Sequence, residues 1–269
     1  VKKKDSQEFK GENMKRKLLK KEEPKSTDSS ITVKAKEFSN FLGKIYLGSL
    51  LNECVLKSVG KEIIVEAIDP TNIIFLTVRS DVDISNFGDL GIGEIQPFQK
   101  YISDCPKEEI ELIKKEDRIK ISYSGIDLDY LLTNPTLIST NEPEMGKMEL
   151  LIEGCNFSFN LTKEVRDSFL YMVNLLKTKT CSIKLNKGEV LLTGGLAHEH
   201  QFKIPVGKLE EGSMEESFTC SFYSDYVKAV FSVLDFRGEE LPTIMFQEEE
   251  YPLIINSGDD YWAIHPLRL

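Results

Sequence analysis

The stretch T-N-P-T-L-I-S-T-N-E-P-E-M-G-K, Thr133 to Lys147, carries two prolines and a glycine among small polar residues. It has neither helical nor strand periodicity, so it reads as a connector. On each side of it the chain runs through the same succession: an amphipathic helix, a strand-rich stretch, a second short helix and more strands. A connector at the centre of such a duplication joins two copies of one unit. The expected organisation is a mobile charged tail over 1–29, a first domain over 30–132, the connecting loop over 133–147 and a second domain over 148–269.

Before the connector, Ile31–Val33 reads as a strand. Ala35–Leu51 then places Phe38, Phe41, Leu42, Ile45 and Leu51 on one face at helical spacing. Lys36, Asn40, Lys44 and Gly48 fall on the other. After Gly60 the pattern becomes alternating and β-branched, with strands at 63–65 and 73–78 around the turn Asp69-Pro70-Thr71-Asn72. Gly88–Gly93 interrupts the chain. Glu94–Cys105 gives a second helix with Ile95, Phe98, Ile102 and Cys105 on its apolar side and Gln99, Lys100 and Ser103 opposite; Pro106 ends it. Strands follow at 109–113, 118–123 and 127–132.

After the connector, 148–152 and 155–159 read as strands. Leu161–Leu176 reads as a helix burying Leu161, Val165, Phe169, Met172 and Leu176, with Lys163, Arg166 and Lys177 on or beside its polar side. A hairpin is expected over 181–185 and 189–193, turning at Asn186-Lys187-Gly188. Strands at 202–206 and 218–221 lead to a fourth helix, Tyr223–Asp235, with Val227, Val230, Phe231 and Leu234 inward and Lys228 outward. Strands at 244–247, 252–255 and 261–264 close the chain. Four helices, each followed by antiparallel strands, make a fourfold pseudo-repeat of α+β class.

With 41% hydrophobic and 29% charged residues over 269 positions, the chain is an ordinary globular protein able to bury a sizeable core. No apolar run approaches the ~18 residues that a membrane-spanning helix needs, and the lysine-rich start lacks the apolar stretch of a secretory signal. Five scattered cysteines without a C-x-x-C pair fit reduced core thiols in a cytoplasmic protein better than a disulfide framework. Residues 1–29 hold ten Lys/Arg against six Asp/Glu, the composition of a solvated tail. Within it, Lys10-Gly11-Glu12 can be encoded by AAAGGAGAA, which looks like a bacterial ribosome-binding site ahead of Met14. The natural chain is therefore expected to begin at Met14, in a bacterium or its virus. The net charge is −10, and beyond the tail 24 Lys/Arg stand against 38 Asp/Glu. Such an acidic body meets a phosphate backbone only if its cations gather on one face.

Two further stretches carry a resemblance. A-I-D-P-T-N-I-I-F-L-T-V-R-S (67–80) has an acidic residue opening a turn before an apolar strand. E-E-Y-P-L-I-I-N-S-G-D-D-Y-W-A-I-H-P-L-R-L (249–269) has a proline-led apolar strand, a turn, then an aromatic–apolar–proline ending. Together with the repeated unit and the central connector, their order from Ile31 to Leu269 resembles the DNA sliding clamps. These are the proliferating-cell-nuclear-antigen family with its archaeal and phage relatives.

The resemblance implies a two-domain clamp subunit joined head to tail in a homotrimeric ring, with helices lining the hole and sheets outside. It implies no enzymatic activity, no cofactor and no metal. Its implied partners are double-stranded DNA held without sequence preference, a DNA polymerase and an ATP-dependent clamp loader. On the polar helix faces, Lys36, Lys44, Lys100, Lys163, Arg166, Lys177 and Lys228 would meet the DNA; such contacts neutralise phosphates without reading bases and weaken with salt. A single lysine of this kind is ordinarily a solvated helix face, and it is recurrence on all four helices that sets the group apart. The family's partner pocket under the connector maps to Ile68, Leu137, Ile138, Pro252, Ile264, His265 and Pro266, where short apolar–aromatic peptides would insert. Here the connector is poor in aromatics, and His265 stands where a small residue is common. Ring closure would pair two edge strands, assigned to 118–123 (Ile119, Ile121, Tyr123) and 200–204 (His200, Phe202, Ile204).

No catalytic constellation emerges. His198-x-His200 lacks further ligands for a metal, Gly194-Gly195 is a turn without the spacing of a phosphate loop, and Glu248–Glu250 reads as a solvated turn. Three other readings keep the same fold: a monomeric processivity factor holding DNA by charge, one member of a heteromeric ring, and a scaffold that binds peptides but no DNA.

Overall fold

The computed structural model describes residues 29–139, 147–195, 198, 200–213, 215–248 and 250–267. The tail over 1–28, Met14 included, and connector residues 140–146 lie outside the described residues. The described chain follows one rule four times: strand, helix, three strands. The first unit is β1 (Ser29–Lys34), α1 (Ala35–Tyr46), β2 (Cys54–Val59), β3 (Glu62–Ile68) and β4 (Ile74–Ser80). The second is β5 (Leu90–Ile92), α2 (Ile95–Ser103), β6 (Glu109–Lys114), β7 (Arg118–Tyr123) and β8 (Ile126–Leu131). A short helix, α3 (Lys147–Glu153), precedes the third unit: β9 (Phe157–Asn160), α4 (Lys163–Leu176), β10 (Thr180–Asn186), β11 (Glu189–Gly194) and β12 (Phe202–Lys208). The fourth is β13 (Ser217–Tyr223), α5 (Ser224–Val233), β14 (Thr243–Phe246), β15 (Leu253–Ser257) and β16 (Asp260–Ile264).

Each unit's lead strand joins its neighbour's sheet. β1 pairs with β6, β5 with β2, β9 with β14 and β13 with β10, all antiparallel. Two four-stranded sheets result, β1-β6-β7-β8 and β12-β11-β10-β13, and one of eight strands, β5-β2-β3-β4-β16-β15-β14-β9. In that large sheet the first and last units meet through β4 and β16, with Ile74 opposite Ile264 and Thr77 opposite Tyr261.

Strand alternation decides which side is core. Ile74, Leu76 and Val78 of β4, and Trp262 and Ile264 of β16, share one apolar cluster with Phe38, Leu42 and Ile45 of α1. Phe98 of α2, Phe169 of α4 and Phe231 of α5 belong to the same cluster. The four long helices thus lie in one layer, and contacts order them α2, α1, α5, α4. Helix α1 stops five residues short of the expected Leu51 because Leu47 and Gly48 take left-handed conformations (φ 47° and 64°), the Leu47 N–H donating to the Gly43 carbonyl. Leu51 is still buried, from the loop that follows.

Three expectations are corrected. The stretch 148–152 is not a strand but part of α3, because Met148, Leu151 and Ile152 share one face at i, i+3 and i+4 and Met-Glu-Leu-Leu favours a helix. The stretch 118–123 is not an edge: β7 is interior, paired to β6 and β8, so Ile119, Ile121 and Tyr123 are not available for ring closure. The chain turns back through Ser124 and Gly125 (φ 49° and 77°), and β8 becomes the open edge. Finally, the glycine-rich interruption holds a strand. β5 is only three residues long, and a Cβ on its central Gly91 would stand 2.1 Å from the Thr133 carbonyl oxygen. Glycine there lets the start of the connector bridge onto the sheet.

The turn Asp69-Pro70-Thr71-Asn72 fastens the first unit to the fourth. Asp69, 2% exposed, accepts from the N–H groups of Thr71, Ile73 and Ile74 (3.1, 2.7 and 2.7 Å) and from the hydroxyls of Thr71 and Tyr226 of α5. Replacing Asp69 by Ala leaves these donors unpaired and should lower the unfolding free energy by about 2–4 kcal/mol, and Tyr226→Phe by about 1 kcal/mol. Urea denaturation measures both, and an Ala variant within ~0.5 kcal/mol of the parent would show that the network does not hold the turn.

Candidate nucleic-acid interface and peptide groove

The helix layer turns a polar side to solvent, formed by Lys36, Glu37 and Asn40 of α1, Gln96, Lys100 and Tyr101 of α2, Lys163, Glu164 and Asp167 of α4, and Asp225 and Ser232 of α5. Among the described residues, Lys36, Lys100, Lys163, Lys177 and Lys228 make no ion pair. Lys177 caps α4 in a left-handed conformation (φ 54°), and Lys228 is half-buried.

Two cations assigned to the DNA are committed elsewhere. The Lys44 ammonium lies 2.5 Å from Oδ2 of Asp260, whose side chain is 6% exposed and also accepts from the Arg79 N–H at 2.9 Å. The Trp262 indole N–H donates to the Lys44 carbonyl at 3.2 Å. Lys44 therefore ties α1 to β16. Arg166 is wedged between helices: its Nε is 2.7 Å from Asp167 Oδ1, Nη1 donates to the Phe231 carbonyl at 3.4 Å, and the guanidinium sits 4.7 Å above the Phe236 ring. Helical spacing shows which side of a helix is polar; it does not show what a neighbouring unit lays against that side. At the α1–α5 junction a cleft of about 520 Å3 is lined by Lys34, Lys44, Arg79, Asp235 and Arg237. Its charges largely cancel, since Lys34 pairs with Glu37 and Arg237 with Asp235, whose carboxyl the hydrogen-bonded guanidinium holds down to about 2. The lining is sparse and mixed in sign.

On the other side of the eight-stranded sheet, Phe75 of β4, Ile254 of β15 and Ala263 of β16 form a second apolar cluster with Met148 of α3. Ile68, Leu151, Ile152, Cys155, Met245 and Tyr261 pack at its margin. The expected pocket residues divide. Ile68 belongs to this patch, and Pro252 is buried just before β15. Ile264 is corrected: it points to the helix side and is fully buried there, because residues 261 and 263 take the outer positions of β16. Ile138 is buried near Gly91 at the β5 end of the sheet, and Leu137 beside it is 74% exposed. His265 is exposed, its N–H donating to the Ile73 carbonyl, and Pro266 is half-buried. Phe75, Ile254 and Met245 were missed, although their alternation with core residues along their strands was a usable signal.

Of the four strands that end the units, β4 and β16 pair with each other, whereas β8 and β12 each stand at the end of a four-stranded sheet. β12 lies where 200–204 was expected to form an edge; Phe202 and Ile204 are in it, and His200 precedes it, exposed. Both strands alternate. On β12, Phe202, Ile204 and Val206 face the core side and Lys203 the outside; on β8, Leu128 and Tyr130 face the core side and Asp127 and Asp129 the outside.

No family model and no curated protein matches the sequence. Solved structures do. The chain superposes on A. fulgidus PCNA, from the structure "C-terminal region of FEN-1 bound to A. fulgidus PCNA", with a TM-score of 0.67 at 14% identity, covering 89% of this chain and 98% of that one. Against the DNA polymerase sliding clamp of Bacillus subtilis the TM-score is 0.68 at 13% identity, over 91% of this chain and 65% of that one. Against PCNA of Thermococcus kodakaraensis it is 0.65 at 11% identity, over 88% and 99%. An α+β chain of four strand–helix–three-strand units defines the class. The fold is that of the DNA sliding clamps, and the chain spans nearly all of an archaeal clamp and about two thirds of a bacterial one.

The two kinds of lysine are separable by experiment. Lys44→Met leaves Asp260 buried without its ion partner and should cost about 2–4 kcal/mol, whereas Lys100→Met should change stability by less than ~0.5 kcal/mol. Equal melting shifts for the two variants would overturn the distinction.

Proposed function

We propose that this chain is the subunit of a DNA sliding clamp, a ring that encloses duplex DNA and tethers a polymerase and other DNA-processing proteins. The observation that carries this reading is that two of the four unit-ending strands, β8 and β12, stand at sheet ends while the other two pair with each other. Within the chain, β4 of the first unit pairs with β16 of the fourth. By the same plan, β12 of the third unit would pair with β8 of the second unit of another copy, building a further eight-stranded sheet. Ile204 and Val206 would meet Leu128 and Tyr130 inside, and outside Lys203 would join Asp129, held by Lys115 only at 3.9 Å, more readily than Asp127, which Lys120 pairs at 2.7 Å. The exposed Tyr171 and Leu175 of α4 and Tyr101 of α2 would lie across the same seam, as α1 and α5 meet inside the chain. This contact joins unlike surfaces, so it generates a closed ring or an open filament. Complementary charges on one chain favour a ring of identical subunits, a homotrimer, over a heteromeric one.

Enclosure explains why the lining can be sparse. A ring held by topology needs only screening contacts to phosphates, without base readout and without catalysis. Loading would fall to an ATP-dependent clamp loader, at replication sites in the cytoplasm. The domain division at 133–147 and the peptide groove on the outer face belong to the same proposal.

Light scattering across concentrations should give a species near three times the 30.6 kDa subunit mass. Asp129→Lys should shift its dissociation to about fivefold higher concentration, and adding Lys203→Asp should restore it. A monomer at all concentrations would overturn the ring. Lys36→Glu/Lys100→Glu/Lys163→Glu should abolish polymerase stimulation on loaded circular DNA while leaving the mass unchanged; retained stimulation would favour a peptide scaffold without DNA contact.

A further inference from the structure

The groove that partner peptides would use is already filled by the chain itself. Helix α3 lies across Phe75, Ile254 and Ala263, with Met148 only 4% exposed and Leu151 and Ile152 half-buried; Leu150, on the opposite side, is 69% exposed. The seal at its far end is close. The Tyr251 hydroxyl donates to the Leu151 carbonyl at 2.9 Å and lies near the Leu150 carbonyl at 3.4 Å, and a Cβ on Gly154 would stand 1.9 Å from that hydroxyl. Cys155, half-buried, donates to the Leu151 carbonyl at 3.5 Å, and burial pushes its thiol up to about 11.

A seven-residue helix does not hold its shape alone, since nucleation is unfavourable and too few bonds follow it. α3 is helical because it is docked. It presents the features of a helix-in-groove ligand, three apolar side chains at i, i+3 and i+4. From this we infer that α3 is a built-in competitor: it plugs the outer groove of the free clamp, and a partner segment carrying three apolar side chains on one helical turn must displace it to bind. This rests on the reading that the outer face takes partner peptides. A tethered segment competes at an effective concentration of about millimolar, so it suppresses weak peptides and admits stronger ones.

The probe is a fluorescein-labelled peptide copying residues 147–155, with serine in place of the cysteine, titrated into the full chain. Met148→Ser withdraws the plug's most buried side chain, and Tyr251→Phe loosens its end without altering any apolar residue of the groove. The probe should bind Met148→Ser at least tenfold more tightly than the parent, with Tyr251→Phe between them. In the parent, saturating probe should speed labelling of Cys155 by a thiol reagent, a signal absent from Cys155→Ser. Equal affinity for the parent and both variants, no binding to any of them, or binding without faster Cys155 labelling would each overturn the plug. Should Met148→Ser fail to fold, Tyr251→Phe and the labelling rate decide alone. Native mass is read on the same samples: a trimer with no probe binding removes the plug and keeps the ring, whereas a monomer that still shows displacement removes the ring and keeps the plug.

Discussion

The structure depends on the pairing of β4 with β16. Ile74 to Thr77 and Tyr261 to Ile264 are about 190 residues apart in sequence, yet they form the seam that makes two half-sheets into one of eight strands. Closing so long a loop has an entropic cost that grows only slowly with length, but nothing local repays it, so the seam must be held by its own contacts. Those contacts are present on both sides: Tyr226 on Asp69, Asp260 on Lys44, Trp262 on the Lys44 carbonyl, and the His265 N–H on the Ile73 carbonyl at 2.8 Å. Once the seam is made, the arithmetic of the repeat follows. Four units with one internal seam leave two unit-ending strands, β8 and β12, unpaired with another unit's last strand, and these are unlike each other.

The same seam reshapes the electrostatics. Read along each helix, seven cations point away from the core. In three dimensions two of them, Lys44 and Arg166, are used to hold units together, and Glu164, Asp167 and Asp225 are interleaved with the rest. A protein that gripped DNA by charge alone would need a denser patch to overcome an overall charge of −10. One that surrounds its ligand needs far less, and the sparse lining accords with the second case. The Lys44–Asp260 pair, its carboxylate buried and its ammonium partly exposed, also fixes the seam against a two-residue slip, which would keep the apolar alternation in phase.

Much of the architecture was legible because it rests on periodicity. The four long helices show four or five apolar residues each at helical spacing, and the β3–β4 turn and the β10–β11 hairpin announce themselves by Asp-Pro and Asn-Lys-Gly. What escaped depends on contacts distant in sequence. β5 is three residues around a glycine, readable only once Thr133 is known to lie 2.1 Å from where a side chain would be. α3 offers one turn of signal, too short to separate a strand from a helix until the sheet beneath it is seen. The edge role passed from 118–123 to the next strand because counting strands along a meander cannot say which is last. The facing of Ile264 was misjudged by one position, and in a strand one position exchanges core for surface.

The connector that divides the sequence therefore does more than join halves. Its first residues are fixed on the sheet by the Thr133 bridge to Gly91, by burial of Ile138, and by the Ser139 N–H and hydroxyl on Glu53 at 2.9 and 2.7 Å. Its last residue opens α3, which covers β16 and β15. The two described ends thus sit on opposite sides of β3 and β4, and the outer face between them is where Phe75 and Ile68 lie. An apolar patch on a sheet with solvent beyond it must be covered by something, because exposing it costs about 25 cal/mol for each Å2. A segment that is helical only while docked covers it without any further commitment of the chain, and can leave without unfolding the sheet below. That combination, apolar enough to need a cover and covered by the least self-sufficient element in the molecule, is what suits the outer face to the displaceable plug proposed for it.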